Sequence, residues 1–463
     1  MERQVARVER RHAAIARRAE RVSWARLLTF VAGFAASGAL FFLRGPTYWI
    51  PAVLVWLLIF GAVVAYHRRL DAALRRHRRW RDIKRQHLAR MALDWDALGP
   101  PPAVPAPSTD HPFALDLDLL GPRSLLHLLD VSVSSGGSQR LSSWLLAPAP
   151  EATASLQRQK VVQELVPRSS FRDRLQLHAL LTRPGEGEPA VRLQRWLAHK
   201  SAPHSLRPLL IGLSLLAVAN MALFAAAQWA GLAPWWRLTF ALYALLYLTL
   251  GRAASELFPE ALALQDALRQ TGAVFRFLET ARLPRDSALL SLCEAFRRDE
   301  RPSLYLRRVG RIVNAAGLAA NPVLALVLNV AVPWNLFLAD RLEHWRAELA
   351  RRLPSWLDVW YELEALSSLA NLAYLNPHYA FPTFTAADTP FSGEQLGHPL
   401  LPDDAKVRND FAIPTLGTVD IITGSNMAGK SSFLRTLGVN LVLAYAGGPV
   451  DAAALQTTVF RLF

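Results

Sequence analysis

Residues Asp420 to Thr436 read DIITGSNMAGKSSFLRT, and the interpretation of the C-terminal region turns on them. Within this stretch, Gly424 to Ser431 fits the pattern G-x-x-x-x-G-K-[ST] in full. The flanks suit it: Val419–Ile422 is a short β-type run, and Ser432–Tyr445 carries a helical pattern. The expected unit is therefore strand, loop, helix, with Gly424, Ser425, Asn426, Met427, Ala428 and Gly429 in the loop. Glycines let the backbone turn its N–H groups inward around phosphate oxygens. Lys430 brings a positive charge to the terminal phosphates, and the Ser431 hydroxyl is the expected Mg²⁺ ligand. Ser432 opens the helix, whose N-terminus adds partial positive charge.

The interior of the loop is informative. TGSNMAGKSSFLRT resembles the loop of the MutS family of DNA mismatch-repair ATPases, TGPNM-small-GKST. Other segments follow in family order. RSLLHLLDVSVSSGGSQRLSSWLLAPAP (Arg123–Pro150) resembles a core segment, and SLANLAYLNPHYAFPTF (Ser368–Phe384) the end of the long lever helices. GHPLL (Gly397–Leu401) and VRNDF (Val407–Phe411) resemble two steps that precede the ATPase loop. The resemblance covers roughly 110–200 and 340–463. It implies ATP with Mg²⁺ as ligand, an ATP-driven switch on DNA, and a homodimer formed through the ATPase domain.

The departures limit what carries over. The mismatch-reading domain and a DNA clamp find no counterpart; Phe277-Leu-Glu279 lies in a helical pattern where a packed Phe and a solvated Glu are expected. At the adenine pocket the family's aromatic-aliphatic pair aligns with Lys406-Val407, so Val407 inherits the base contact and Lys406 offers only its stem. Arg408 stands where the family has Pro. The family's Asp-Glu strand and signature helix are not found after the loop, so the expectation is a truncated MutS-like chain that binds ATP weakly without steady hydrolysis. Its status as an ATPase rests on the resemblance alone.

Charge and hydropathy describe the other half of the molecule. The chain has 463 residues and a formal net charge of +15. Residues 1–90 hold 19 Lys/Arg against 5 Asp/Glu, while residues 91–463 hold 33 against 32. The excess is thus local, which argues against a large phosphate-contacting surface beyond residue 90. The basic arms flank two uncharged runs, Leu27–Leu43 and Tyr48–Tyr66, joined by the break RGPT. Each run is about long enough for a bilayer core. Trp24, Tyr48, Trp49 and Tyr66 lie where interfacial aromatics are favoured. Dense Arg at both ends places those ends in the cytoplasm and suits anionic headgroups. A buried soluble hairpin is the alternative, and DNA contact by the arms is a second use of the charge.

A second hairpin is expected at 206–230 and 235–250, around the turn GLAP, with Trp229, Trp235 and Trp236 clustered there. Pro322–Leu338 is apolar but interrupted by Asn329 and Pro333, and reads as a buried or membrane-surface helix. Four spans keep the phosphate loop on the cytoplasmic side of an inner or plasma membrane. Asp340–Leu369 reads as a long amphipathic helix.

The remaining chemistry is structural on this reading. Cys293 is alone, so no internal disulfide forms, and it sits in a helical pattern as a packing residue. Asp116 and Asp118 suit an alternating segment before a turn better than a metal pair, and the 12 His show no ligand spacing. The fold expected is mainly α with transmembrane helices. It comprises arms and first hairpin (1–94), a Pro-rich linker (95–112), a MutS-like helical core and lever (113–384), and the start of an α/β P-loop ATPase domain (385–463). If the ATPase switch has left DNA, its partner is a protein or the membrane; an inactive fragment is the third reading.

Overall fold

A computed structural model describes residues 2–108, 110–181, 189–198, 207–250, 264–297, 301–318, 324, 328–330, 332–385, 390–425 and 429–463. It is mainly helical. The basic arms and apolar runs are not separate elements: α1 (Glu2–Arg44) and α2 (Pro46–Met91) carry each arm and run as one continuous helix. Only Gly45, at φ 75°, breaks them, with Pro46 opening α2 where its missing N–H is no loss. The two helices pack antiparallel. Trp56 Nε1 donates to the Thr29 carbonyl at 3.0 Å, and Trp49 Nε1 to Ser37 Oγ at 2.9 Å. Gly33 permits this approach, since a Cβ there would lie 1.8 Å from the Trp56 ring. Outward, the hairpin shows bare hydrocarbon: Phe34 is 69% exposed, Leu58 75% and Phe42 87%.

The end of the hairpin that carries both termini docks directly on the core. α3 (Trp95–Leu98) follows, capped by Asp94, whose side chain accepts from Ala97 N–H. The expected linker thus opens on a helical turn and then lies against the core, where His127 meets the Gly99 carbonyl at 3.0 Å and His111 the Leu146 carbonyl at 3.0 Å. Next come α4 (Leu125–Leu129), α5 (Ser135–Leu145), α6 (Ala152–Leu165), α7 (Ser169–Leu181) and α8 (Pro189–Ala198). Ile83 is buried, and Lys84 forms a buried ion pair with Asp173 of α7 at 2.5 Å. Burial pushes the neighbouring His87 imidazole down to about 2, so it stays neutral beside Asp173.

The second apolar hairpin is α9 (Arg207–Trp229) and α10 (Trp236–Leu250). Among the described residues three helices, α1, α2 and α9, are long and apolar enough to cross a membrane. α10 is described over 15 residues, up to Leu250, and the residues after it lie outside the described ones. The core continues through α11 (Gln265–Thr280), α12 (Ala288–Leu292) and α13 (Pro302–Leu318). Phe277 and Glu279 lie on α11: Phe277 packs on Phe171, and Glu279 accepts from Ser303 N–H at 2.6 Å. Glu279 is therefore a helix-capping partner rather than a solvated residue. Cys293 is fully buried, and burial pushes its thiol up to about 12.

α14 (Trp334–Leu375) organises the core. Its buried positions Leu342, Arg346, Leu349, Leu353, Trp356 and Trp360 recur every three or four residues, the stripe that a half-buried helix presents. From Leu363 to Ala373 every position is buried, and α4, α5, α6 and α7 pack on this helix. Much of the expected helix at Pro322–Leu338 lies outside the described residues. Its end starts α14, where Leu336 and Ala339 are buried with Leu213 and Tyr243 of the second hairpin.

The C-terminal part carries a sheet of four short strands: β1 (Thr383–Phe384), β2 (Phe391–Leu396), β3 (Asn409–Ile413) and β4 (Ala454–Thr457), in spatial order β1-β4-β2-β3. Only β1 and β4 run parallel. α15 (Lys430–Ala446) packs between this sheet and the core.

Candidate functional site

The phosphate-loop motif meets the start of α15 as its spacing requires. Gly429 caps the helix at φ 80°, a left-handed conformation that only glycine takes without strain, and open space surrounds it. Gly424 also has positive φ, at 158°. Ser431 and Ser432 are exposed in the first turn, beside N–H groups that have no partner within a helix. Lys430 turns its ammonium back to the Gly424 carbonyl, so the ends of the loop are tied by its own cation. Asn426, Met427 and Ala428 lie outside the described residues.

The strand expected before the loop is not there. Residues 418–425 have no ladder, with Val419 83% and Ile421 81% exposed. β3, which precedes them, pairs only with β2. Apolar alternation favours a strand only where a neighbour supplies hydrogen bonds and a face to cover, and among the described residues none stands beside this run.

The adenine-side expectation also changes. Val407 is exposed and free to meet a ligand, but Lys406 is not laid over a base site. Its side chain is 3% exposed, and its ammonium donates to Asp451 Oδ2 at 2.8 Å and to Asp403 Oδ1 at 2.8 Å. Arg408 donates to Asp451 Oδ1 at 2.8 Å. Asp451 is fully buried and accepts from the Tyr379 hydroxyl as well. Burial, then the Asp451 charge, holds that hydroxyl's pKa well above its usual value. The residue in place of the family's Pro therefore has a definite job, closing a buried charge cluster that ties 403–408 to the segment after α15.

A second set of bonds clamps the helix. Asn440, fully buried on α15, donates to the Gly397 carbonyl at 2.9 Å and accepts from Asp451 N–H at 2.7 Å. His398 is buried beside it, and burial lowers its imidazole pKa, so it serves as a neutral structural residue. At the far end, Ser155 Oγ donates to the Tyr445 carbonyl at 2.6 Å. Arg158 reaches the Tyr445 and Ala446 carbonyls while stacking on Trp144. Cations at a helix C-terminus offset its negative end. Arg435 pairs with Asp118 at 3.0 Å, which gives that aspartate a structural partner. Among the described residues no three His, Cys, Asp or Glu converge as a metal cluster.

Asp451, Asn440, Ser155 and Arg158 were not legible as site residues. A lone Asp in GGPVDAAAL carries one signal only, a charge in an apolar run, which folding must either expose or pair.

The loop's ends fit a phosphate group: positive-φ glycines, a free helix N-terminus, a lysine and a serine. No family model matches the chain. Local likenesses do occur. Over 131 residues, 27% of this chain, it is 33% identical to DNA mismatch repair protein MutS of Leuconostoc citreum, covering 15% of that protein. Over 109 residues, 22% of this chain, it is 38% identical to DNA mismatch repair protein MutS of Chlorobium chlorochromatii, covering 12%. Over 111 residues, 21% of this chain, it is 35% identical to DNA mismatch repair protein MSH2 of Zea mays, covering 11%. The chain spans about a seventh or less of the length of these curated relatives, and what they share is a local relation to the MutS and MSH mismatch-repair proteins.

Proposed function

We propose that this chain is a membrane-anchored, MutS-like nucleotide-binding protein whose ligand is ATP with Mg²⁺. The observation that carries the reading is Gly424–Ser431 at the head of α15, in a chain locally similar to mismatch-repair proteins. Loop N–H groups and Lys430 would hold the phosphates, Ser431 would hold the metal and Val407 would border the base. Bound Mg²⁺ would neutralise charge on the β- and γ-phosphates. A bound phosphate would compete with the Gly424 carbonyl for the Lys430 ammonium. Asn440 ties the middle of α15 to the 397–408 segment, and Ser155 and Arg158 tie its C-terminal end to α6, so a change at the loop would be passed to those elements.

Membrane anchoring rests on α1, α2 and α9, with the Arg-rich ends of the first hairpin cytoplasmic in an inner or plasma membrane. By relation to mismatch-repair proteins, DNA is one partner and a homodimer one assembly. A second reading gives the switch a membrane or protein partner. It is favoured by the near-neutral balance of residues 91–463, which leaves little charge for a DNA surface.

ATP binding to the purified chain in detergent with Mg²⁺, wild type against Lys430→Ala, tests the reading. Loss of binding in the variant supports it; unchanged binding, or none by wild type, sinks it. Salt-dependent DNA affinity that survives removal of the charge of residues 1–90 by Arg→Gln substitution separates the DNA reading from the second.

A further inference from the structure

Where the basic arms meet the helical core there is a cavity of about 450 Å³ that nucleotide binding does not use. α1 lines it with Arg7 and Arg11, and α2 with Arg76, Trp80 and Lys84. α7 contributes Ser169, Ser170 and Asp173. Asp173 is the one carboxylate on this wall, and Lys84 already neutralises it at 2.5 Å. Among the described residues, Arg7, Arg11 and Arg76 have no carboxylate partner. The nearby Glu9 is engaged by Arg85. Three exposed arginines therefore line one open cleft whose carboxylate, Asp173, is already paired, and the buried Lys84–Asp173 pair docks α2 on α7 beside them.

We propose that this cavity binds a compact polyanion bearing phosphate groups. Guanidinium forks match phosphate oxygens bidentately, and several on one wall favour an anion of more than one charge. The two serine hydroxyls can donate to further oxygens, and Trp80 supplies an apolar wall for the ring or carbon frame that carries the phosphates. Position bears on the source of the phosphate. Arg11 lies sixteen residues before Leu27, about 24 Å along α1, and Arg76 ten residues after Tyr66, about 15 Å along α2. Headgroups occupy only about 5–8 Å beyond the hydrocarbon. With the hairpin in a bilayer the cavity stands clear of the headgroups, which favours a soluble phosphate over a lipid one.

The test uses the full chain with Lys430→Ala, so that the phosphate loop contributes nothing and a failed nucleotide reading leaves the result intact. Inositol hexakisphosphate is titrated calorimetrically in detergent. In a second arm the chain sits in phosphatidylcholine nanodiscs with or without phosphatidylinositol 4,5-bisphosphate. The triple variant Arg7→Gln/Arg11→Gln/Arg76→Gln is set against a charge-matched control of exposed arginines outside the cavity, Arg17→Gln/Arg18→Gln/Arg69→Gln. Saturable binding weakened about tenfold or more by the first triple and little by the second is expected. Saturation in detergent assigns a soluble phosphate; saturation only with the inositol lipid assigns a headgroup. Equal weakening by both triples, or no saturable binding in either arm, overturns the proposal.

Discussion

Two regions leave large apolar side chains in the open, and for opposite reasons. In the α1–α2 hairpin Phe34, Phe42 and Leu58 face outward from helices whose backbone groups are satisfied internally. Such a surface loses nothing in hydrocarbon, where only a fully hydrogen-bonded backbone is tolerated. Between β3 and α15, Val419 and Ile421 are as exposed, but their backbone belongs to no helix and no ladder. A bilayer would leave those N–H and C=O groups unpaired, so this exposure is not of the membrane kind. Backbone satisfaction, more than side-chain hydropathy, separates the two.

The strongest challenge to this contrast lies in what holds the phosphate-loop end together without a central strand. Asp451→Ala leaves Lys406 buried and unpaired beside Arg408, and removing one partner of a buried pair costs about 3–5 kcal/mol. The expected result is a large loss of thermal stability in detergent, with Asp451→Asn milder because it keeps hydrogen bonding. A near-neutral Asp451→Ala would mean that the cluster does not anchor the segment. For the hairpin, Leu58→Arg places a charge in the middle of a span, worth about 2.5–3.5 kcal/mol against insertion. Retention in alkaline-washed membranes should fall. Unchanged retention would remove the bilayer from the comparison.

A third test concerns the junction between the regions. Glu364 of α14 braces Ser134, the N-cap of α5: it accepts from the N–H groups of Val133 and Ser134 at 3.2 Å and from the Ser134 hydroxyl. Burial nonetheless pushes its carboxyl up to about 8. Because the folded value is raised, its contribution to stability is full below the ordinary carboxylate value and is lost as pH rises toward 8. His87 works in the other sense, since its folded value is depressed to about 2 and stability falls as pH drops below 6.5. The two oppose one another between pH 5 and 6.5, so melting temperature should change little there and decline from 6.5 to 8 through Glu364, and Glu364→Gln should flatten that limb. The smallest effect is expected at Ile421→Ser, within about 0.5 kcal/mol, because an exposed side chain loses little. A larger loss would show that something covers it in solution.

Much of this was legible in the residues, and unevenly so. The apolar runs appear inside helices because their length and lack of charge leave few alternatives, although α1 and α2 extend them without a break into the basic arms. The period of buried positions in α14 was readable for the same reason. The Gly424–Ser431 motif was legible in the residues, and Gly429 takes the positive φ that its place at the head of α15 requires. The preceding strand was misread, since alternation records a face to be covered and not the neighbour that covers it. Lys406 was misread too, since one aligned position says nothing about a carboxylate 45 residues later.

Local pattern by itself determined which segments are helices, where charge is concentrated and where a glycine opens α15, because propensity, hydropathy and glycine placement act over a few residues. Tertiary structure alone decided what those segments touch. It placed Asp451 between Lys406 and Arg408, Ser155 and Arg158 under the end of α15, and Arg7, Arg11 and Arg76 around one cavity. A buried ion cluster or a convergent set of cations requires chain distant in sequence to meet, and that meeting is set by the packing of the whole core.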